Sequence, residues 1–129
     1  MNNAELLELA KQVCENAYAK YSNFHVGACA LYDTGNYYLG CNVENASYGL
    51  TLCAERNAMS NAVAAGEKGK LIKIAIFSKD RTTCMPCGAC RQWMAEFAKD
   101  NSLQIILESE DSKCAVFTID ELLPYGFEL

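Results

Sequence analysis

Cys53-Ala54-Glu55 and Pro86-Cys87-Gly88-Ala89-Cys90 put three thiols and one carboxylate at two points where helical segments begin. Cys87 and Cys90 stand about one helical turn apart and share a face. A third sulfur from Cys53 would make three ligands for a tetrahedral zinc and leave its fourth position open. An open metal position beside a carboxylate is what metal-assisted hydrolysis needs. The chain is therefore expected to fold so that two helix starts meet at one place.

The remaining composition narrows the class. The 129 residues are 51% hydrophobic and 21% charged, which suits one ordinary globular domain over residues 1–129. No apolar run approaches the roughly 18 residues of a membrane span. Met1-Asn2-Asn3-Ala4-Glu5 is not basic and no signal-peptide core follows it, so a cytoplasmic protein with no membrane partner is expected. In a reducing compartment the eight cysteines are expected in metal or core roles rather than in disulfides. Cys14, Cys29 and Cys114 lie in apolar patterns and read as small buried hydrophobes. The net charge is −5 with no visible basic patch, which argues against a nucleic-acid partner.

Leu6, Leu9, Ala10, Val13 and Ala17 recur at helical spacing and predict a helix over 3–19. Val26 to Tyr32 and Tyr37 to Asn42 read as two strands of a hairpin turning at Asp33-Thr34-Gly35-Asn36. A helix is expected from Cys53 to Ala65, a strand from Ile72 to Phe77, and a helix from Gly88 to Lys99 behind Pro86. Leu103–Leu107 and Ala115–Thr118 read as strands, followed by a short helix from Ile119 to Leu123. The order αββαβαββα predicts an α/β fold, with helices on both faces of a five-stranded mixed sheet. The link from Glu108 to Cys114 is too short for a parallel crossover, so the last two strands are expected to be antiparallel.

Glu55 lies two positions after Cys53, about 200° around a helix with 3.6 residues per turn. In mid-helix the two side chains would diverge, but at the tip of a first turn both can reach one site. There a zinc ion would acidify water, and Glu55 would accept a proton and pass it to a substrate ring nitrogen, then to departing ammonia. Arg56 and the two helix N-termini would draw charge from the sulfurs. Simpler readings compete with this one. A first-turn glutamate commonly serves the helix dipole, and Arg56 could be a surface ion-pair partner. Cys84 with Cys53, Cys87 and Cys90 would make a closed four-sulfur structural site without catalysis.

Asn42-Val43-Glu44-Asn45-Ala46-Ser47-Tyr48, Cys53-Ala54-Glu55-Arg56 and Pro86-Cys87-Gly88-Ala89-Cys90-Arg91-Gln92 resemble the small cytidine deaminases of pyrimidine salvage. Tyr21-Ser22-Asn23-Phe24, Val26-Gly27-Ala28 and Glu121-Leu122-Leu123-Pro124 fit the same pattern, so the resemblance runs from Tyr18 to Phe127. It implies the three-layer αβα deaminase fold and hydrolysis of cytidine and deoxycytidine to uridine and deoxyuridine. It also implies zinc on Cys53, Cys87 and Cys90, Glu55 as proton shuttle, and Cys84 as a bystander. Phe24 would lie against the pyrimidine, Asn42 and Glu44 would hold ribose hydroxyls, and Ala54 would offer backbone contact to the base. Relatives are homotetramers with sites at subunit interfaces, which would give Tyr48 and Phe127 to a neighbour's site. Lys20 departs from the family's usual proline, and the family generally lacks Cys84. His25, the single histidine, neighbours Phe24 but alternates to the opposite face, and no catalytic role is expected of it. Another aminopyrimidine nucleoside, of the blasticidin type, is a rival substrate, against which Glu44 argues because a carboxylate suits ribose hydroxyls. A partner-binding zinc module is the rival outside enzymes.

Overall fold

A computed structural model describes residues 1–129. Its elements are α1 (Asn3–Cys14), β1 (Val26–Tyr32), β2 (Tyr37–Cys41), α2 (Ala54–Ala64), β3 (Leu71–Ser78), α3 (Gly88–Phe97), β4 (Gln104–Glu108), β5 (Cys114–Thr118) and α4 (Ile119–Leu122). The strands form one sheet in the order β2-β1-β3-β4-β5. β1 pairs antiparallel with both β2 and β3. β3 and β4 run parallel, which α3 makes possible by carrying the chain back between them. β4 and β5 are antiparallel, as the short connection requires.

β1 shows why the sheet needs helices on both sides. All seven of its residues are buried. Ala28, Ala30 and Tyr32 face one core with Ile74, Ile76, Ile105 and Leu107, closed by α2 and α3 through Ala54, Ala58, Met59, Cys90 and Met94. Cys29 and Leu31 face the other core with Ala75, Phe77 and Ile106, closed by α1 through Leu6, Leu7, Ala10 and Cys14. Alternate residues of a strand point to opposite faces, so one strand feeds both layers. The result is the expected three-layer αβα arrangement.

Two glycines set how closely the layers approach. A Cβ on Gly27 would stand 2.0 Å from the Ala10 carbonyl oxygen and 2.6 Å from the Cys14 nitrogen, so α1 rests directly on β1. A Cβ on Gly40 would stand 2.3 Å from the Ala58 nitrogen and 2.5 Å from the Ala54 carbonyl oxygen. β2 and the first turns of α2 are therefore in backbone contact, and this fixes the height at which α2 begins.

The predicted first helix is too long. α1 stops at Cys14, and Tyr18 instead bridges to the chain after β2: its N–H donates to the Asn42 carbonyl at 2.9 Å and its carbonyl accepts from the Glu44 N–H at 2.9 Å. The backbone demand of residues 42–44 overrides the helical pattern at Ala17. α3 ends two residues early for a similar reason, because the Lys99 N–H donates to Leu71 rather than continuing the helix. A 3-10 turn at Tyr48–Leu50 was not expected.

Candidate active site

Cys53 and Cys87 each occupy the N-cap of a helix, with extended backbone at φ −73° and φ −70°. An N-cap side chain usually accepts a hydrogen bond from the first turn, but neither sulfur does so. Both sulfurs turn toward Cys90, one turn into α3. The Cys53 and Cys87 sulfurs are 3.9 Å apart and those of Cys87 and Cys90 are 3.5 Å apart. All three lie within 4.8 Å of one another. Three soft donors from two helix N-termini form a set that suits zinc, and Cys84 is not among them. Cys84 packs instead against the α2–α3 side of the core. Burial pushes its thiol up to about 11, so it stays protonated at neutral pH. The closed four-sulfur site is not formed.

Glu55, in the first turn of α2, is only 4% exposed. Burial pushes its carboxyl up to about 7, opposed by hydrogen bonding at the helix start and reinforced by charge on Cys53. A carboxyl poised near neutrality can both take up and give up a proton there. Arg56 Nη2 donates to the Cys53 sulfur at 3.3 Å. The hydrogen bond from Cys90, then that from Arg56, hold the Cys53 thiol down to about 5. Arg56 Nε is buried, and the guanidinium pairs with a sulfur of the site through Nη2.

Of the residues expected to meet a nucleoside, Phe24 lies just before β1 while Asn42 and Glu44 lie just after β2. Phe24 and Cys53 both pack against the core cluster that contains Ala54 and Cys90. Asn42 is 8% exposed. Its Oδ1 accepts from the Val26 N–H at 2.9 Å and its Nδ2 donates to the Phe24 carbonyl at 2.8 Å. Glu44 accepts from the backbone N–H groups of Tyr21 and Ser22, at 2.9 and 3.0 Å, and from the Ser22 hydroxyl. These bonds hold its carboxyl below the usual range, the Ser22 hydroxyl first among them. Both side chains thus brace the 21–26 segment of their own chain, a use that sequence reading missed.

Glu44 also lines a recess with Tyr21, Ser22, Tyr48 and Thr51. Tyr48 is 75% exposed and meets Tyr21 edge-on, with ring centroids 5.9 Å apart. Phe127 is 71% exposed and lies far along the chain from the sulfurs, beside a separate cleft between α3 and the C-terminal segment. Within this one chain Tyr48 borders the recess beside Glu44, and the cleft beside Phe127 is lined by none of the three cysteines. Asp80 is a further residue that sequence reading passed over, for it binds His25 from outside any motif.

Residues 1–105 match the cytidine and deoxycytidylate deaminase zinc-binding region. The cytidine deaminase of Halalkalibacterium halodurans is 40% identical over 127 residues, covering 98% of this chain and 95% of that one. The cytidine deaminase of Mycoplasma pneumoniae is 40% identical over 118 residues, covering 91% and 87%. The crystal structure of cytidine deaminase from Burkholderia pseudomallei superimposes with a TM-score of 0.90 at 44% identity, covering 98% of this chain and all of that one. With the fold, the sulfur triad and the buried glutamate all present, the chain belongs to the cytidine and deoxycytidylate deaminase family.

Proposed function

We infer that this chain is a zinc-dependent hydrolase that converts cytidine and deoxycytidine to uridine and deoxyuridine with release of ammonia, in pyrimidine salvage. The observation that carries this reading is a glutamate only 4% exposed, two residues from one member of a cluster of three sulfurs. Cys53, Cys87 and Cys90 hold the metal. When bound there, zinc supplies a Lewis acid that makes water reactive near neutral pH. Glu55 takes a proton from the attacking water and places it on the pyrimidine ring nitrogen as the water oxygen bonds to the amino-bearing carbon. It then passes the second proton of that water to the amino group, so that the carbon–nitrogen bond breaks and ammonia leaves. The oxygen of one water replaces the amino nitrogen, and no redox change occurs. Arg56 withdraws charge from Cys53 and keeps the thiolate set from becoming too electron-rich.

Phe24 packs on the pyrimidine face, the Ala54 backbone meets the base, and Asn42 and Glu44 take the ribose hydroxyls. Asn42 has one amide hydrogen left after its two internal bonds, which supports this use. Residues 1–129 act as one catalytic domain in the cytoplasm; no helix is long and apolar enough to cross a membrane. Four copies assemble, and Tyr48 and Phe127 close the site of a neighbour. The exposure of Tyr48, Leu50 and Phe127 supports this, since aromatic and aliphatic side chains so placed are typical of subunit contacts.

The test is ultraviolet absorbance of the zinc-loaded protein with cytidine, with ammonia assayed in parallel. Uridine and ammonia should form in equal amounts. Intact, zinc-loaded protein that leaves cytidine unchanged would overturn the reading. Native mass spectrometry should give four chains and four zinc ions per particle.

A further inference from the structure

Residues 21–25 belong to no helix or strand, and Asn23 sits in the left-handed region at φ 59°. Such a segment is held by its hydrogen bonds together with the packing of Phe24 on the core and of Tyr21 on Tyr48. Local ones are the Asn23 N–H to the Ala19 carbonyl and the Phe24 N–H to the Ser22 hydroxyl. From outside the local turn, Glu44 holds Tyr21 and Ser22, and Asn42 holds the Phe24 carbonyl. The remaining outside anchor is Asp80. Its Oδ2 accepts from the His25 N–H at 2.7 Å and pairs with His25 Nδ1 at 2.9 Å.

These anchors differ in one respect. On the reading above, Asn42 and Glu44 brace the segment and also receive the ribose, through the amide hydrogen and carboxylate lone pair that their internal bonds leave free. Asp80 serves the segment alone. It lies just past the end of β3, on the loop that leads to Cys87, so it ties the substrate side of the site to the metal side. The His25 and Asp80 side chains are 19% and 33% exposed, enough shelter for a bond to a carboxylate to matter.

We propose that His25 and Asp80 form a positioning pair that holds Phe24 against the substrate face while the ribose engages Asn42 and Glu44. His25 touches no reacting atom; it acts through its neighbour Phe24. The proposal rests on the cytidine reading, and its test has one arm that does not.

The first arm compares steady-state kinetics of wild type, His25→Ala, His25→Asn, Asp80→Ala and the double variant H25A/D80A, all zinc-loaded. H25A should raise KM for cytidine roughly threefold to tenfold, with kcat and zinc content close to wild type. Asparagine can place an amide nitrogen where Nδ1 stands, so H25N should recover most of that change. The double variant should be no worse than D80A, because removing Asp80 already breaks the ring bond that H25A breaks, along with the bond to the His25 N–H. An unchanged KM in H25A and D80A, or a loss confined to kcat or zinc, would overturn the proposal. The second arm follows amide hydrogen exchange. Exchange at residues 21–26 should quicken in H25A and D80A while β1 and β3 stay protected, and uniform exchange across variants would also overturn it. If wild type fails to deaminate cytidine, the catalytic reading falls. A nucleoside role for the pair falls with it, and the exchange arm alone then decides whether the pair anchors the segment.

Discussion

Arg56 reaches back over the first turn of α2 so that its Nη2 lies 3.3 Å from the Cys53 sulfur, the N-cap of the same helix. The contact is local in sequence, and after the hydrogen bond from Cys90 it is the next bond that holds the Cys53 thiol down. A thiolate at a helix N-terminus already has a favourable dipole, and a guanidinium on the sulfur adds a donor that no metal replaces. Arg56→Ala should weaken zinc binding by roughly tenfold to a hundredfold, the usual range for a lost partner of a metal ligand. Chelator-induced zinc release followed with a chromophoric dye would measure it. A release rate equal to wild type would mean that the contact serves packing alone.

Glu55 offers a sharper separation of roles. It is buried beside the sulfurs but contributes no sulfur and lies outside the metal-binding group. Glu55→Gln keeps the volume and removes the titrating proton. The variant should retain one zinc per chain and the wild-type circular dichroism spectrum, while turnover falls by roughly 10²–10⁴-fold. Zinc analysis alongside the absorbance assay decides it: an active, zinc-loaded variant would exclude proton transfer by this residue.

How much of this was legible in the sequence depends on the range of the contact. β1 is readable because a short unbroken apolar run ending at a turn suits a strand buried on both faces, and Cys87 and Cys90 are readable because one helical turn separates them. The antiparallel pairing of β4 and β5 follows from a link too short for any other. The end of α1 was not readable. Nothing near Ala17 announces that Tyr18 will pair with the backbone beyond β2. For the same reason the internal work of Asn42 and Glu44 was hidden, since their partners are Phe24, Val26, Tyr21 and Ser22, across the chain. Composition and spacing report local periodicity, whereas a polar side chain's choice of partner is settled by tertiary contact.

Cys84 tests that distinction. By spacing it belongs with Cys87 and Cys90, yet its side chain packs into the core and its thiol stays protonated. Cys84→Ser should bind one zinc per chain and turn over cytidine as wild type does. Its cost should appear only in stability, about 1–2 kcal/mol for a hydroxyl in a partly buried apolar setting. Loss of zinc in this variant would put Cys84 back among the ligands.

Gly40 governs the site from the far side of α2. A methyl group there would meet the backbone of Ala54 and Ala58, which cannot give way as a flexible side chain would. Gly40→Ala should therefore push the start of α2 off β2, displacing Cys53 and Glu55 together. The expected cost is about 1–3 kcal/mol in urea unfolding, with weaker zinc retention and lower turnover. Unaltered zinc affinity and kcat would show that the helix start is set elsewhere.

Glu67 joins the hairpin turn to the segment after α2. Its carboxylate accepts from the Gly69 N–H at 2.7 Å, the Thr34 hydroxyl at 2.8 Å, the Tyr38 hydroxyl at 3.0 Å and Asn36 Nδ2 at 3.2 Å. These bonds, led by the one from Gly69, hold its carboxyl down to about 2, from an ordinary value of 4.5. A folded-state value below the unfolded one means that the unfolded chain binds the proton first, so this stabilisation is complete above about pH 4.5 and is lost as pH falls toward 2. Glu67→Gln removes the charge at every pH. Metal-free wild type should melt higher than the metal-free variant at pH 7, and the two melting curves should converge as pH falls from 4.5 toward 2. Thermal scans across that range decide the point. A gap that stayed constant down to pH 2 would place the effect in shape and packing rather than in the carboxylate's charge.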